Sequence, residues 1–147
     1  MRLVSLVSLL FCLSACCVQR LAVYTDYIGP QTLASAQIGT PDPLALHPPT
    51  GQRLIVKWHV PHTYMEHEDL HLSIALRFRD RSTQNLTVPV EHTAGTYLYE
   101  VLGDTYCQTR GILSYQVQLL GDGEILEEWL HPLWTSIIEL NSSKTSL

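Results

Sequence analysis

The chain of 147 residues is short of positive charge: 9 Lys and Arg stand against 14 Asp and Glu, a net charge of −5. A nucleic-acid partner requires a basic patch to neutralise its phosphates, so this balance excludes that class of function. No polybasic run exists either, which excludes adhesion to an anionic membrane by charge alone. Long hydrophobic runs are missing too. Leu3 to Leu13 is apolar apart from Ser5 and Ser8, but it is too short for a membrane-spanning helix, which takes about 20 residues. Catalytic signatures are also lacking: there is no Gly-x-Ser-x-Gly elbow, no locally supported Cys and His pairing, and no Gly-rich phosphate loop opening a helix. Glu127 and Glu128 are adjacent on an expected strand and point to opposite faces, so they do not pair as a general acid and base. What is present is apolar content, at 46%, enough for a real core in one domain. These features predict a non-enzymatic protein that holds no cofactor.

The N-terminus carries the strongest signal. Arg2 precedes the apolar run, and the run has the length of a signal-peptide core. It ends in Leu13-Ser14-Ala15-Cys16, with small residues just before the cysteine. This resembles the bacterial lipobox. The resemblance implies cleavage after residue 15, a diacylglycerol on the Cys16 sulfur and usually an acyl chain on its amine. Several buried acyl chains anchor stably, at about 0.8 kcal/mol per buried CH₂. Cys17 follows the anchor where an Asp would favour inner-membrane retention, so the resemblance implies an exported, membrane-anchored product sorted to an outer membrane if the cell has two. An ordinary secretory leader is the alternative. Cys17 and Cys107 then remain, and an oxidising compartment permits a disulfide between them. An unpaired Cys107, or pairing between chains, stays open.

Residues 18 to 28, with Tyr24, Tyr27 and Ile28, read as a first strand or the start of a tether. From Gly29 to Gln52 the chain holds Pro30, Pro41, Pro43, Pro48 and Pro49 among three glycines. Proline lacks an amide donor and favours extended chain, so this stretch reads as a tether or as an irregular strand. After Gly51 the apolar period becomes two. Strands are expected at 53–60, 70–79, 85–90, 96–102, 111–120, 124–131 and 133–140. Leu113, Tyr115, Val117 and Leu119 are expected inward and Ser114, Gln116 and Gln118 outward. Asp80 to Gln84 reads as a turn, 103–110 as a loop, and Gly121-Asp122-Gly123 as a hairpin. The whole is expected to be all-β: one antiparallel β-sandwich of about seven strands. The implied organisation is a leader at 1–15, a lipidated end and tether at 16–52, a sandwich at 53–140 and a frayed tail at 141–147.

Leu54-Ile55-Val56-Lys57-Trp58-His59-Val60-Pro61 resembles the second strand of fibronectin type III and related immunoglobulin-like domains. Tyr115-Gln116-Val117-Gln118-Leu119 is similar to a later strand of that class. The resemblance spans 53–140 and implies an immunoglobulin-like sandwich with Trp58 in the core; the inter-sheet Cys pair of antibody domains is absent. A weaker resemblance, through the anchored N-terminus and the Leu-x-Leu-x-Ile-x-Leu strand before Asp80, is to small pilotin-type lipoproteins of type III secretion.

His59, His62, His67 and His71, with Met65, Glu66, Glu68 and Asp69, are candidate metal ligands. Their spacing is irregular, which favours a solvated loop. Trp129, Trp134, Tyr97 and Tyr99 are candidate partner contacts, since Trp and Tyr serve as interface anchors; packing at the sandwich rim is the competing reading. The Arg77, Arg79 and Arg81 series reads as a solvated face. Asn85-Leu86-Thr87 and Asn141-Ser142-Ser143 match the N-glycosylation pattern, a pattern frequent by chance. The sequence thus predicts an envelope lipoprotein that binds an envelope protein, as an assembly or secretion accessory. Metal or small-ligand capture by 59–71, and a secreted eukaryotic immunoglobulin-like domain, are the alternatives.

Overall fold

A computed structural model describes residues 19–30, 38 and 48–135. Period-two alternation is strictest in β3 (Leu70–Phe78): Leu70, Leu72, Ile74, Leu76 and Phe78 are buried and the residues between them are half-buried. Successive side chains of a strand leave opposite faces, so such a strand presents one apolar wall. The other strands are β1 (Leu21–Ile28), β2 (Gly51–His59), β4 (Thr83–Pro89), β5 (Ala94–Leu102), β6 (Ile112–Gly121) and β7 (Glu124–Leu130). They form two antiparallel sheets, ordered β1-β2-β5 and β4-β3-β6-β7. Leu21, Val23, Leu54, Val56 and Val101 from one sheet meet Leu72, Ile74, Leu76, Val117 and Leu119 from the other. Each such side chain contributes about 1.5–3 kcal/mol by leaving water. The described residues therefore form an all-β, seven-stranded sandwich.

Two buried polar links cross between the sheets. Tyr115 on β6 is buried and its hydroxyl donates to the Val23 carbonyl of β1 at 3.2 Å. Gln52 on β2 is also buried, and its Oε1 accepts the Ile112 amide at 2.8 Å. Each supplies a partner to a group that would otherwise be costly to bury.

Local chemistry sets the turns. Asp80 accepts the Ser82 amide at 2.9 Å, closing an Asx turn between β3 and β4. Between β6 and β7, Asp122 (φ 52°) and Gly123 (φ 85°) both take positive φ, as a two-residue type I′ hairpin demands. The expected loop at 103–110 is mostly a short helix, α1 (Gly103–Thr109). It ends on Arg110 in the left-handed conformation, with the Arg110 amide bonded to Tyr106.

Three further expectations change. The Pro-rich segment does not separate an anchor from the domain. Residues 21–28 pair with β2 along their whole length, so 29–50 connects two neighbouring strands of one sheet. The first-strand reading of 18–28 therefore holds, and the domain starts well before residue 53. Secondly, Leu113 is 44% exposed and Ser114 only 1% exposed. The register of β3 with β6 slips between Arg77 and Phe78, so one residue, Leu113, is thrown outward by a bulge and the alternation restarts. Thirdly, residues 131–135 are turn and irregular chain rather than the start of a strand at 133–140; residues 136–140 lie outside the described residues. Among the described residues the seventh strand is β1.

Candidate interaction surface

The outer face of the three-stranded sheet is unusually apolar along one line. Tyr24 of β1 stands opposite Ile55 of β2, and Ile55 stands opposite Leu98 of β5. All three leave the sheet away from the core. Tyr24 is 42% exposed and Leu98 51%, while Ile55 between them is covered to 8% exposure. Charged groups border the row. On one side the Lys57 ammonium lies 5.5 Å from the Tyr24 ring centre. On the other, Arg53 donates to Asp26 at 2.8 Å. An exposed apolar strip with a polar rim has the make-up of a contact surface. Beyond Lys57 lies an open depression of about 510 Å³ against Ala22, Trp58, His59, Gly95 and Thr96.

The candidate contacts read from the sequence are distributed differently. Tyr97 and Tyr99 face the opposite way from Leu98, half-buried against the core, and the Tyr99 hydroxyl reaches the Gln84 amide oxygen of β4. Burial raises the Tyr99 pKa above the usual phenol value. Trp129 is likewise half-buried against the core. Trp134 is stacked by Arg77, whose guanidinium carbon lies 4.1 Å from its ring centre and which also donates to the Thr135 carbonyl at 2.7 Å. Arg77 is thus a packing group rather than a free surface charge. These four aromatics hold the rims of the sandwich together and do not form one ridge. The outward Tyr24 and Leu98 of this row went unmarked in the sequence because β1 was ambiguous and Leu98 was hidden among the outward residues between Tyr97 and Tyr99.

The histidines disperse. His67 Nδ1 lies 2.8 Å from Asp122 Oδ2, and His71 Nδ1 lies 3.0 Å from Asp69 Oδ1. His59 ends β2, and His62 opens the 3-10 turn His62–Glu66, both exposed. Among the described residues no three His, Cys, Asp or Glu are grouped to hold a metal ion. Asp122 also accepts the Asp69 amide at 3.0 Å. That backbone bond, then the bond to His67, pulls its carboxyl below the ordinary value.

The edge where β1 faces β7 is clasped. Arg20, just before β1, donates to Glu127 of β7 at 2.9 Å and to the Tyr64 hydroxyl at 2.9 Å, and Tyr64 donates to Glu127 at 3.0 Å. The Glu127 bond raises the Arg20 pKa; partial burial raises that of Tyr64. Glu128 takes other partners, the side-chain amides of Gln116 and Gln118 at 2.9 and 2.7 Å. Glu127 and Glu128 are therefore spent separately. Cys107 is an exposed thiol on α1. Cys16 and Cys17 lie outside the described residues, as does any bond between Cys17 and Cys107. Among the described residues no helix is long and apolar enough to cross a membrane.

The described residues define a small two-sheet β-sandwich with an apolar row across the outer face of its three-stranded sheet. No family model, no curated protein and no solved structure matches the chain.

Proposed function

We propose that this protein is an exported lipoprotein, acylated on Cys16, whose sandwich is a non-enzymatic module that binds another protein of the envelope. The single observation that carries the binding role is the row Tyr24–Ile55–Leu98, presented outward on a rigid sheet. The sequence Leu13-Ser14-Ala15-Cys16 behind its short apolar run supports the anchor. The sheet order, with Trp58 on β2 and Tyr115 on β6, supports the immunoglobulin-like reading. Since Leu21 already belongs to β1, the leash from Cys16 to the domain is about five residues, at most roughly 18 Å when fully extended. A domain held so close meets partners at the membrane surface and not far from it.

Two measurements test this. Cells expressing the wild-type chain are grown with a labelled fatty acid, beside Cys16→Ala. Label on the wild type and none on the variant is the expected result; an unlabelled wild type, or a mature product still beginning at Met1, rejects the anchor. A photo-crosslinking residue at position 24 is then expected to give a discrete adduct with another polypeptide, while one at the exposed Glu124, away from the row, gives none. No adduct from position 24 rejects the row as a binding surface.

A further inference from the structure

Each sheet has two outer strands, and three of the four carry a device that blocks pairing with another chain. Backbone bonds show which groups point outward. His59 donates to Arg20 on one flank of β2, and Val60 donates to Thr93 on the other. By antiparallel alternation the odd residues of β1 point their backbone groups away from β2. One of these, the Val23 carbonyl, is occupied by the Tyr115 hydroxyl. β7 is bulged where its register slips between Leu119 and Leu120, and Glu127, opposite the inward Leu119, points into the sandwich edge. Bulges and inward charges are recognised guards of an edge. β4 ends in Pro89, which has no amide to donate, and its outward backbone groups belong to the polar Thr83, Asn85 and Thr87.

β5 has none of these. It runs nine residues, Ala94–Leu102, in unbroken register with β2, and holds no proline, lysine or arginine. Among the described residues it pairs with β2 alone. Thr93 and Gly103 flank it, and both bond to the β2 side. The even residues Thr96, Leu98 and Glu100 therefore aim their amides and carbonyls outward. The same three residues carry their side chains on the outer face, with Leu98 half-exposed.

The geometry points to a second copy of this chain as the partner of β5, paired antiparallel about a two-fold axis at Leu98. It rests on the reading of the sandwich as a protein-binding module and adds a second copy at the β5 edge, which leaves the Tyr24 end of the row open to the envelope partner. That register is self-complementary. Leu98 meets Leu98, which joins the two apolar rows into one strip running from Tyr24 of one copy to Tyr24 of the other. Thr96 meets Glu100, so the only charge on the strand faces a hydroxyl and not its like. Tyr97 meets Tyr99 on the inner side, an aromatic pair of the kind that stabilises neighbouring strands. The two three-stranded sheets become one sheet of six, and both unguarded edges disappear. A two-fold contact of this kind closes on itself and does not propagate into a fibre.

The test uses the full chain in detergent, with Cys17→Ser and Cys107→Ser to silence other thiols. Opposed residues of a hydrogen-bonded antiparallel pair have Cα atoms about 5.5 Å apart, within reach of a disulfide. Leu98→Cys is expected to form a covalent dimer on mild oxidation. Thr96→Cys alone is not, since its two copies would lie roughly 14 Å apart along the strands. Thr96→Cys mixed with Glu100→Cys is expected to form the mixed dimer. Light scattering of the wild type should give twice the chain mass, and Leu98→Lys half of that with an unchanged far-ultraviolet circular dichroism spectrum. A monomeric wild type, no Leu98→Cys dimer, an internal crosslink to another part of the same chain, or equal crosslinking from all three positions overturns the proposal. If position 24 still captures a different polypeptide while β5 fails these tests, the second copy is rejected and the protein-binding role survives; failure at both positions rejects both.

Discussion

Replacing Tyr115 by Phe removes one oxygen and leaves the ring that fills the core. Tyr115 is buried, and its hydroxyl satisfies the carbonyl of Val23, itself buried on the facing sheet. Without it, a carbonyl between the sheets has no donor. Losing one partner of a buried pair costs about 1–3 kcal/mol, against a net value near 1 kcal/mol for an ordinary hydrogen bond. A cost of about 1.5 kcal/mol lowers the Tm of a domain this size by roughly 6 °C. The same side chain carries a pH signature. Burial raises the Tyr115 pKa above its ordinary value near 10, with a smaller opposing effect from a bond with Trp129. A group whose proton is held more tightly when folded gives stability that is complete below the unfolded pKa and lost as pH rises through the folded one. The difference between wild type and Tyr115→Phe should thus be full at pH 7 and shrink above pH 10. Thermal unfolding followed by circular dichroism, at several pH values, reads both effects. The exposed Tyr27, with only a 3.5 Å contact to Arg79, supplies the control: Tyr27→Phe should change nothing. A Tm for Tyr115→Phe within a degree of wild type, or a difference that grows with alkalinity, would show that the bridge between the sheets is not as described.

Gly95→Ala should destabilise by about 1–3 kcal/mol through overpacking. Its Cβ would overlap the Trp58 ring, and that ring is pinned by its indole N–H, which donates to the His92 carbonyl at 2.9 Å. Urea unfolding should move to lower concentration and the tryptophan fluorescence should change. Asp122→Asn tests the hairpin. The lowered carboxyl pKa of Asp122 means its stabilisation exists above the ordinary value near 4 and vanishes as pH falls through the lower folded value. Urea midpoints of wild type and variant should differ at pH 6.5 and draw together as pH falls below the ordinary carboxyl value; a constant offset would mean the charge plays no part.

The strands were legible wherever one residue in two had to leave water. β3 alternates without a fault, and its boundaries in sequence and structure differ by one residue. The Asp-Gly hairpin was equally plain, because few residues tolerate two successive positive φ angles. Legibility failed where a neighbour changed the rule. Nothing local in Ile112-Leu113-Ser114 announces the bulge; it follows from how β6 meets β3, a contact between distant segments. α1 was hidden because a seven-residue helix has too few turns to display a period, and none of its residues is buried. The Pro-rich stretch misled for a similar reason. Its composition describes how the chain behaves but not what lies at either end, and only the pairing of β1 with β2 shows that it connects strands. The aromatics were singled out for their type, whereas exposure, as at Tyr24 and Leu98, depends on which face of a sheet the opposite sheet covers.

One mechanical consequence follows from the position of β1. Any tension applied through the residues before Leu21 enters the domain at the very end of a strand bonded along its full length to β2. Pulled lengthwise, such a ladder bears load on many bonds together; pulled sideways, it opens like a zipper from the Leu21 end. The direction of force relative to that strand would decide whether the domain holds or yields first.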